Sequence, residues 1–88
     1  MELKKLLTGI ENFKSKGDLD IDIKKVVSNS KKVVPNSLFI AVRGYDFDGH
    51  QYIGEAIEKG AVAVIVQKDM GIKEQVVVEN TRAAYARL

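Results

Sequence analysis

Apolar residues recur along this chain in two rhythms. Near the start, Leu3, Leu6, Leu7 and Ile10 stand at i, i+3, i+4 and i+7, a spacing that puts them on one face of a short helix. Farther on the rhythm gives way to unbroken runs. Leu38 to Val42 and Ala61 to Val66 are apolar throughout and of strand length, so both predict strands buried on two faces. Gln75 to Val78 predicts a third strong strand, and Val26-Val27 a short one that ends in the polar Ser28-Asn29-Ser30. The polar stretch Ser15 to Asp22 reads as a loop, with an edge strand at Ile21 to Ile23.

Polar residues punctuate these runs. Pro35-Asn36-Ser37 predicts a turn, because Pro fixes φ while Asn and Ser bond their own backbone. Asp48 predicts a helix start, and Gln51 three positions later completes a capping-box-like pair. Tyr52, Ile53, Ala56 and Ile57 then form the inward stripe, and Glu55, Glu58 and Lys59 face water. His50 falls in the first turn of that helix, where it reads as a surface residue. Gly60 supplies the left-handed residue that ends many helices. A strand, a helix and a strand joined this tightly predict a right-handed βαβ crossover with parallel strands. Gln67 to Glu74 is a charged loop, and Asn80 predicts the cap of a final helix whose Ala84 and Leu88 share a face. That helix carries no Gly, Pro or polar end signal, so the chain is expected to be a piece of a longer protein. The expected fold is a single α/β domain over residues 1–88: a small mixed sheet with a βαβ crossover and helices packed on it.

Composition narrows the function. The 88 residues hold 14 basic and 12 acidic side chains, interspersed, for a net charge of +2. A nucleic-acid binder usually shows a basic stripe with stacking aromatics, and no such stripe is visible. The absence of cysteine excludes disulfides and thiolate metal sites. No apolar run approaches the roughly 18 residues of a membrane span. The start MELKKLLTGIENF carries charges within its apolar pattern and no small-residue cleavage site, so it does not read as a signal peptide. A soluble, cytoplasmic protein is expected.

No GxxxxGK[ST] loop and no GxGxxG fingerprint is present. With His50 the only histidine, a His-rich metal site cannot form. The residues point to binding rather than catalysis, with no catalytic residue and no metal ligand assigned. Two loops carry the binding chemistry. Ser28-Asn29-Ser30-Lys31-Lys32 offers hydroxyls, an amide and two cations at a strand end, suited to a uracil, a ribose or a phosphate; its other reading is a turn whose side chains bond local backbone. Arg43 to His50 combines two glycines with Tyr45 and Phe47, either of which could stack on a base. Its other reading is an ordinary strand-to-helix loop capped by Asp48. Asn80-Thr81-Arg82 reads as a helix start near the same sheet edge.

Taken together these residues resemble the N-terminal domain of the Mur ligases, enzymes that add amino acids to the peptidoglycan precursor. The family pattern runs approximately DSR-x-V-x-PG-x-LF-x-A-x-x-G, then DGH-x-(F/Y)-I-x-x-A-x-x-x-GA-x-A-x-(V/I)-V. This chain reads NSKKVVPNSLFIAVRG, then DGHQYIGEAIEKGAVAVIV, and closes with VVVENTRAAYARL. The match is closer to MurE, which adds meso-diaminopimelate or L-lysine as the third residue, than to MurF. The resemblance implies a domain that anchors the uridine diphosphate end of UDP-N-acetylmuramoyl-dipeptide. Later domains of the full enzyme would use ATP and Mg²⁺ to form the amide bond, and no cofactor would bind here. It implies substrate contacts at Ser28 and Ser30, and at Tyr45, Asp46 and Phe47 in the loop around the uridine. Asn29, Lys31 and Asn36 depart from the family's Asp, Arg and Gly. Lys cannot make the bidentate pair of Arg. These departures motivate a competing reading, a non-catalytic α/β interaction module that has lost its ligand.

Overall fold

The computed structural model describes all 88 residues. Its centre is a five-stranded sheet in the order β1-β5-β4-β3-β2, formed by Phe13–Lys16 (β1), Lys25–Val27 (β2), Ser37–Ile40 (β3), Ala61–Val66 (β4) and Gln75–Val78 (β5). β2 to β5 are parallel to their neighbours and β1 runs antiparallel along β5. The mixed α/β fold with a strand–helix–strand crossover is thus as the sequence implies.

The apolar runs become the middle strands because their alternate side chains fill two cores. Leu38 and Ile40 of β3, with Ala63 and Ile65 of β4, face the helix Leu3–Leu6 (α1) and the helix Thr81–Ala86 (α3), joined by Leu3, Leu7 and Ala84. Phe39, Val64 and Val66 face the other way, onto Ile53 and Ala56 of the helix Ile53–Glu58 (α2). Each fully buried branched side chain contributes about 1.5–3 kcal/mol. The pairing skips one residue, Ser37 with Ala61 but Leu38 with Ala63. Val62 thus forms a bulge that brings the two alternations into phase.

Local departures have local causes. α1 is a single turn that tightens into a 3₁₀ turn over Leu7–Gly9, yet it keeps the predicted face: Leu3 and Leu7 are buried, Leu6 and Ile10 partly so. The predicted edge strand Ile21 to Ile23 is reduced to one bridge between Asp22 and Glu2. The strand lies earlier, at β1, and takes in Ser15 and Lys16 from the expected loop. The helix opened by Asp48 begins as a 3₁₀ turn over Gly49–Tyr52. Of its expected stripe, Ile53 and Ala56 are buried, but Tyr52 and Ile57 are exposed. Asn36 holds φ of +69° between Pro35 and Ser37, a conformation Asn tolerates better than most residues. No helix is long and apolar enough to cross a membrane.

Candidate functional site

Four parallel strands deliver their carboxyl ends to one edge, and the loops that leave them carry every candidate binding residue singled out above. In open α/β sheets ligands settle at that edge. After β2, Ser28 is half-buried and Asn29 starts a 3₁₀ turn, its Oδ1 accepting the Lys31 N–H at 2.9 Å. The amide therefore does the capping that a carboxylate would do at this position. Ser30 is buried, and its hydroxyl donates to Glu55 Oε2 at 3.0 Å. That bond, foremost, holds the Glu55 carboxyl below its usual range, with Lys59 adding to it. Glu55, expected to face water, is only half-exposed.

The loop after β3 is drawn tight at its base. Gly44 N–H donates to Phe47 O at 2.7 Å, Gly49 N–H donates to Val42 O at 2.9 Å, and Arg43 bridges to Asp48. Tyr45 at the tip is fully exposed, and Asp46 beside it is exposed too. Phe47 folds back to stack on Tyr52, ring centroids 5.4 Å apart and planes 11° apart. Arg43, Tyr45, Asp46, Phe47 and Tyr52 border a cleft of about 360 Å³. Wider hollows of about 480 and 490 Å³ lie beside β1 and α3. The smaller cleft is the better ligand candidate, because aromatic faces and a guanidinium converge on it.

Asp48-Gly49-His50 does more than open a helix. Asp48 Oδ1 accepts the His50 backbone N–H at 3.0 Å and its Nδ1 at 2.6 Å. The backbone bond is the main reason the Asp48 carboxyl sits below its usual range, with the imidazole and Arg43 acting in the same direction. His50 Nε2 accepts the Gln67 N–H at 2.9 Å, which assigns the ring proton to Nδ1. His50 is therefore buried, with 8% of its surface exposed, and not the surface residue its position in a first turn implies. It bridges the loop after β3 to the end of β4. The expected return bond from Gln51 is absent; its backbone N–H donates to Asp48 O, and its side chain is exposed.

Two further residues complete this network. Gln67 Oε1 accepts both the Thr81 N–H at 2.9 Å and the Thr81 hydroxyl at 3.1 Å. Thr81 Oγ1 in turn accepts the Arg43 N–H at 3.3 Å. Thr81 is fully buried, and Asn80 beside it caps α3 through Ala83 N–H as predicted. Gln67 does not stand out in the sequence, and Thr81 does so only as part of the helix start Asn80-Thr81-Arg82; the available signal is that each directly follows a strand end or a cap.

Residues 22–87 match the family profile described as "Mur ligase family, catalytic domain". The chain belongs to the Mur ligase family. Across its whole length it is 43% identical to the UDP-N-acetylmuramoyl-L-alanyl-D-glutamate--2,6-diaminopimelate ligase of Alkaliphilus metalliredigens, covering 18% of that protein. Over 82% of its length it is 39% identical to the UDP-N-acetylmuramoyl-tripeptide--D-alanyl-D-alanine ligase of Haemophilus influenzae, covering 16% of it. The chain thus spans less than a fifth of the length of these Mur ligases. Its fold overlays that of the UDP-N-acetylmuramoylalanyl-D-glutamyl-2,6-diaminopimelate--D-alanyl-D-alanyl ligase of Acinetobacter baumannii with a TM-score of 0.84, at 22% identity, covering 100% of this chain and 20% of that one. The residues present do not fit ATP and Mg²⁺: the sequence has no phosphate loop, and no three His, Asp or Glu side chains converge.

Proposed function

We propose that this chain is the N-terminal, nucleotide-anchoring domain of a MurE-type ligase, which holds the uridine diphosphate end of UDP-N-acetylmuramoyl-dipeptide. The observation that carries the reading is the aromatic cleft at the carboxyl edge, with Tyr45 exposed and Phe47 stacked on Tyr52, in a member of the Mur ligase family. Aromatic faces suit a nucleobase, and the Asp46 carboxylate can accept from an imide or ribose hydroxyl. Ser28 and Ser30 contribute hydroxyls from the adjacent loop. The Ser30 oxygen donates to Glu55 and keeps lone pairs with which to accept. The domain itself is not catalytic. Anchoring the remote end of the substrate would orient a distant carboxylate for ATP-dependent amide formation by segments outside these 88 residues.

MurE is favoured over MurF by the higher identity over the full chain, 43% against 39% over a shorter span. The test is a titration of the 88-residue chain with UDP-N-acetylmuramoyl-L-alanyl-D-glutamate, followed by amide NMR. Shifts clustered at Ser28 to Ser30 and Tyr45 to His50 are expected. A response confined to other residues, or none at millimolar ligand, would overturn the reading in favour of a module without the ligand. In the longer protein, incorporation of D-alanyl-D-alanine rather than a diamino acid would assign MurF.

A further inference from the structure

Gln67 holds the loop after β3 at both of its ends. Its backbone N–H donates to His50 Nε2 at 2.9 Å, where the loop runs into the 3₁₀ turn. Its side-chain Oε1 accepts the Thr81 N–H and hydroxyl, and Thr81 Oγ1 accepts the Arg43 N–H where the loop begins. This second tie passes only through amide and hydroxyl groups, which do not titrate. The first tie runs through a buried imidazole with both nitrogens engaged: Nδ1 donates to Asp48 Oδ1 at 2.6 Å, and Nε2 accepts. A proton added at Nε2 turns that acceptor into a donor and sets it against the Gln67 N–H. The two cannot then keep their bond.

The surroundings offer the new proton no other acceptor. Arg43 and Lys68 border the hollow of about 200 Å³ beside the ring, and both oppose a cationic imidazole. From α3, Arg82 reaches the same loop: a methyl group on Gly44 would lie 3.5 Å from Arg82 Nη2. Asp48 favours the cation, but its Oδ1 already accepts two His50 donors. On α2, Glu55 is engaged by Ser30 and Lys59; after β4, Asp69 is engaged by Gly71 and Gln75. We propose that His50 is a proton-operated latch. As the neutral ring protonated on Nδ1 it fastens the loop after β3 to the end of β4, and as the imidazolium it lets go. The released loop keeps its own closures, Gly44 N–H to Phe47 O and Gly49 N–H to Val42 O, and its tie at Arg43. It therefore moves as a unit, carrying Tyr45 and Phe47 and with them the wall of the aromatic cleft. The latch does not rest on the nucleotide reading: a cleft without a ligand would open in the same way.

The test follows the 88-residue chain by NMR from about pH 8 to about pH 5, the window in which histidine ordinarily changes charge. The Asp48 carboxyl, held below its usual range, stays ionised throughout. Three signals are read together: the imidazole nitrogens of His50, the exchange protection of the Gln67 amide, and the amide shifts of Tyr45 to Phe47. Protection is corrected for the intrinsic exchange rate at each pH. As Nε2 takes its proton, Gln67 protection should fall at least about tenfold, and the loop amides should shift with the same midpoint. Val64, whose N–H donates to Glu74 O in the middle of the sheet, should keep its protection within about twofold. His50→Gln, which cannot titrate, should abolish the common midpoint; if that variant fails to fold, the coincidence of midpoints in the parent decides alone. A ring that gains its proton while Gln67 stays protected would overturn the latch. So would a ring still neutral at about pH 5, or a loss of protection at Val64 together with Gln67, which is unfolding of the whole domain.

Discussion

The Ser30 hydroxyl ties the turn after β2 to α2 through Glu55, across 3.0 Å. Ser30→Ala removes the donor chiefly responsible for the low Glu55 carboxyl pKa. Glu55 should then titrate closer to its ordinary value, read from its side-chain carboxyl resonance against pH. An unchanged midpoint would show that Lys59 alone sets it.

Asp48 makes the acid limb of stability testable. Its folded carboxyl lies below the unfolded value, so its contribution is present above the unfolded value and lost as pH falls through the folded one. Asp48→Asn keeps an oxygen acceptor but removes the titration. Urea midpoints measured from neutral pH down through the carboxylate range should fall less steeply in this variant than in the parent.

Gly49 has no room for a side chain. A Cβ there would lie 2.9 Å from Val42 N and 3.0 Å from Ala41 backbone atoms. Gly49→Ala should cost about 1–3 kcal/mol in chemical unfolding, as overpacking against backbone does. A cost near zero would mean the loop after β3 can shift away from the helix start.

His50→Ala should cost about 2 kcal/mol or more, because it leaves the Gln67 N–H without its acceptor. Nitrogen-15 spectra of the imidazole should show the proton on Nδ1. A proton resident on Nε2 would refute the bridge to β4.

Asn36 and Gly60 meet at one turn, where Asn36 N–H donates to Gly60 O at 3.0 Å. Asn36→Val forces a branched side chain into positive φ and should cost about 1–2 kcal/mol. Asn36→Gly, the family's residue, should stay within about 1 kcal/mol of the parent by thermal unfolding. Gly60→Ala combines positive φ with a Cβ 2.7 Å from Pro35 Cα and should be the worse of the two alanine replacements when compared with Asn36→Ala.

The elements legible in the sequence are those fixed by their own residues. Leu38 to Val42 and Ala61 to Val66 announce strands because two cores need every side chain, and Asp48 and Asn80 announce caps because the acceptor is local. β1 carries no such mark. All four of its residues are exposed, and it is a strand because Phe13 to Lys16 pair with Val78 to Gln75, far along the chain. The loops of the candidate site were readable as polar insertions after strands, and so was their common edge. The burial of His50 was not, since a lone histidine in a first turn owes it to Gln67, just past the end of β4. The bonds of Gln67 and Thr81 stayed hidden for the same reason: each acts through a partner brought near only by the parallel sheet.

The pairing of β1 with β5 also sets a timetable. The first strand to emerge during synthesis has no neighbour in the sheet until residues 75–78 follow it. Until then the backbone of Phe13 to Lys16 remains a bare edge, and α1 has only part of its core. Assembly must wait for distant chain segments to meet, which slows folding relative to a domain whose neighbours in sequence are neighbours in space. A chain truncated before Val76 should remain sensitive to protease, and the 88-residue chain should resist it.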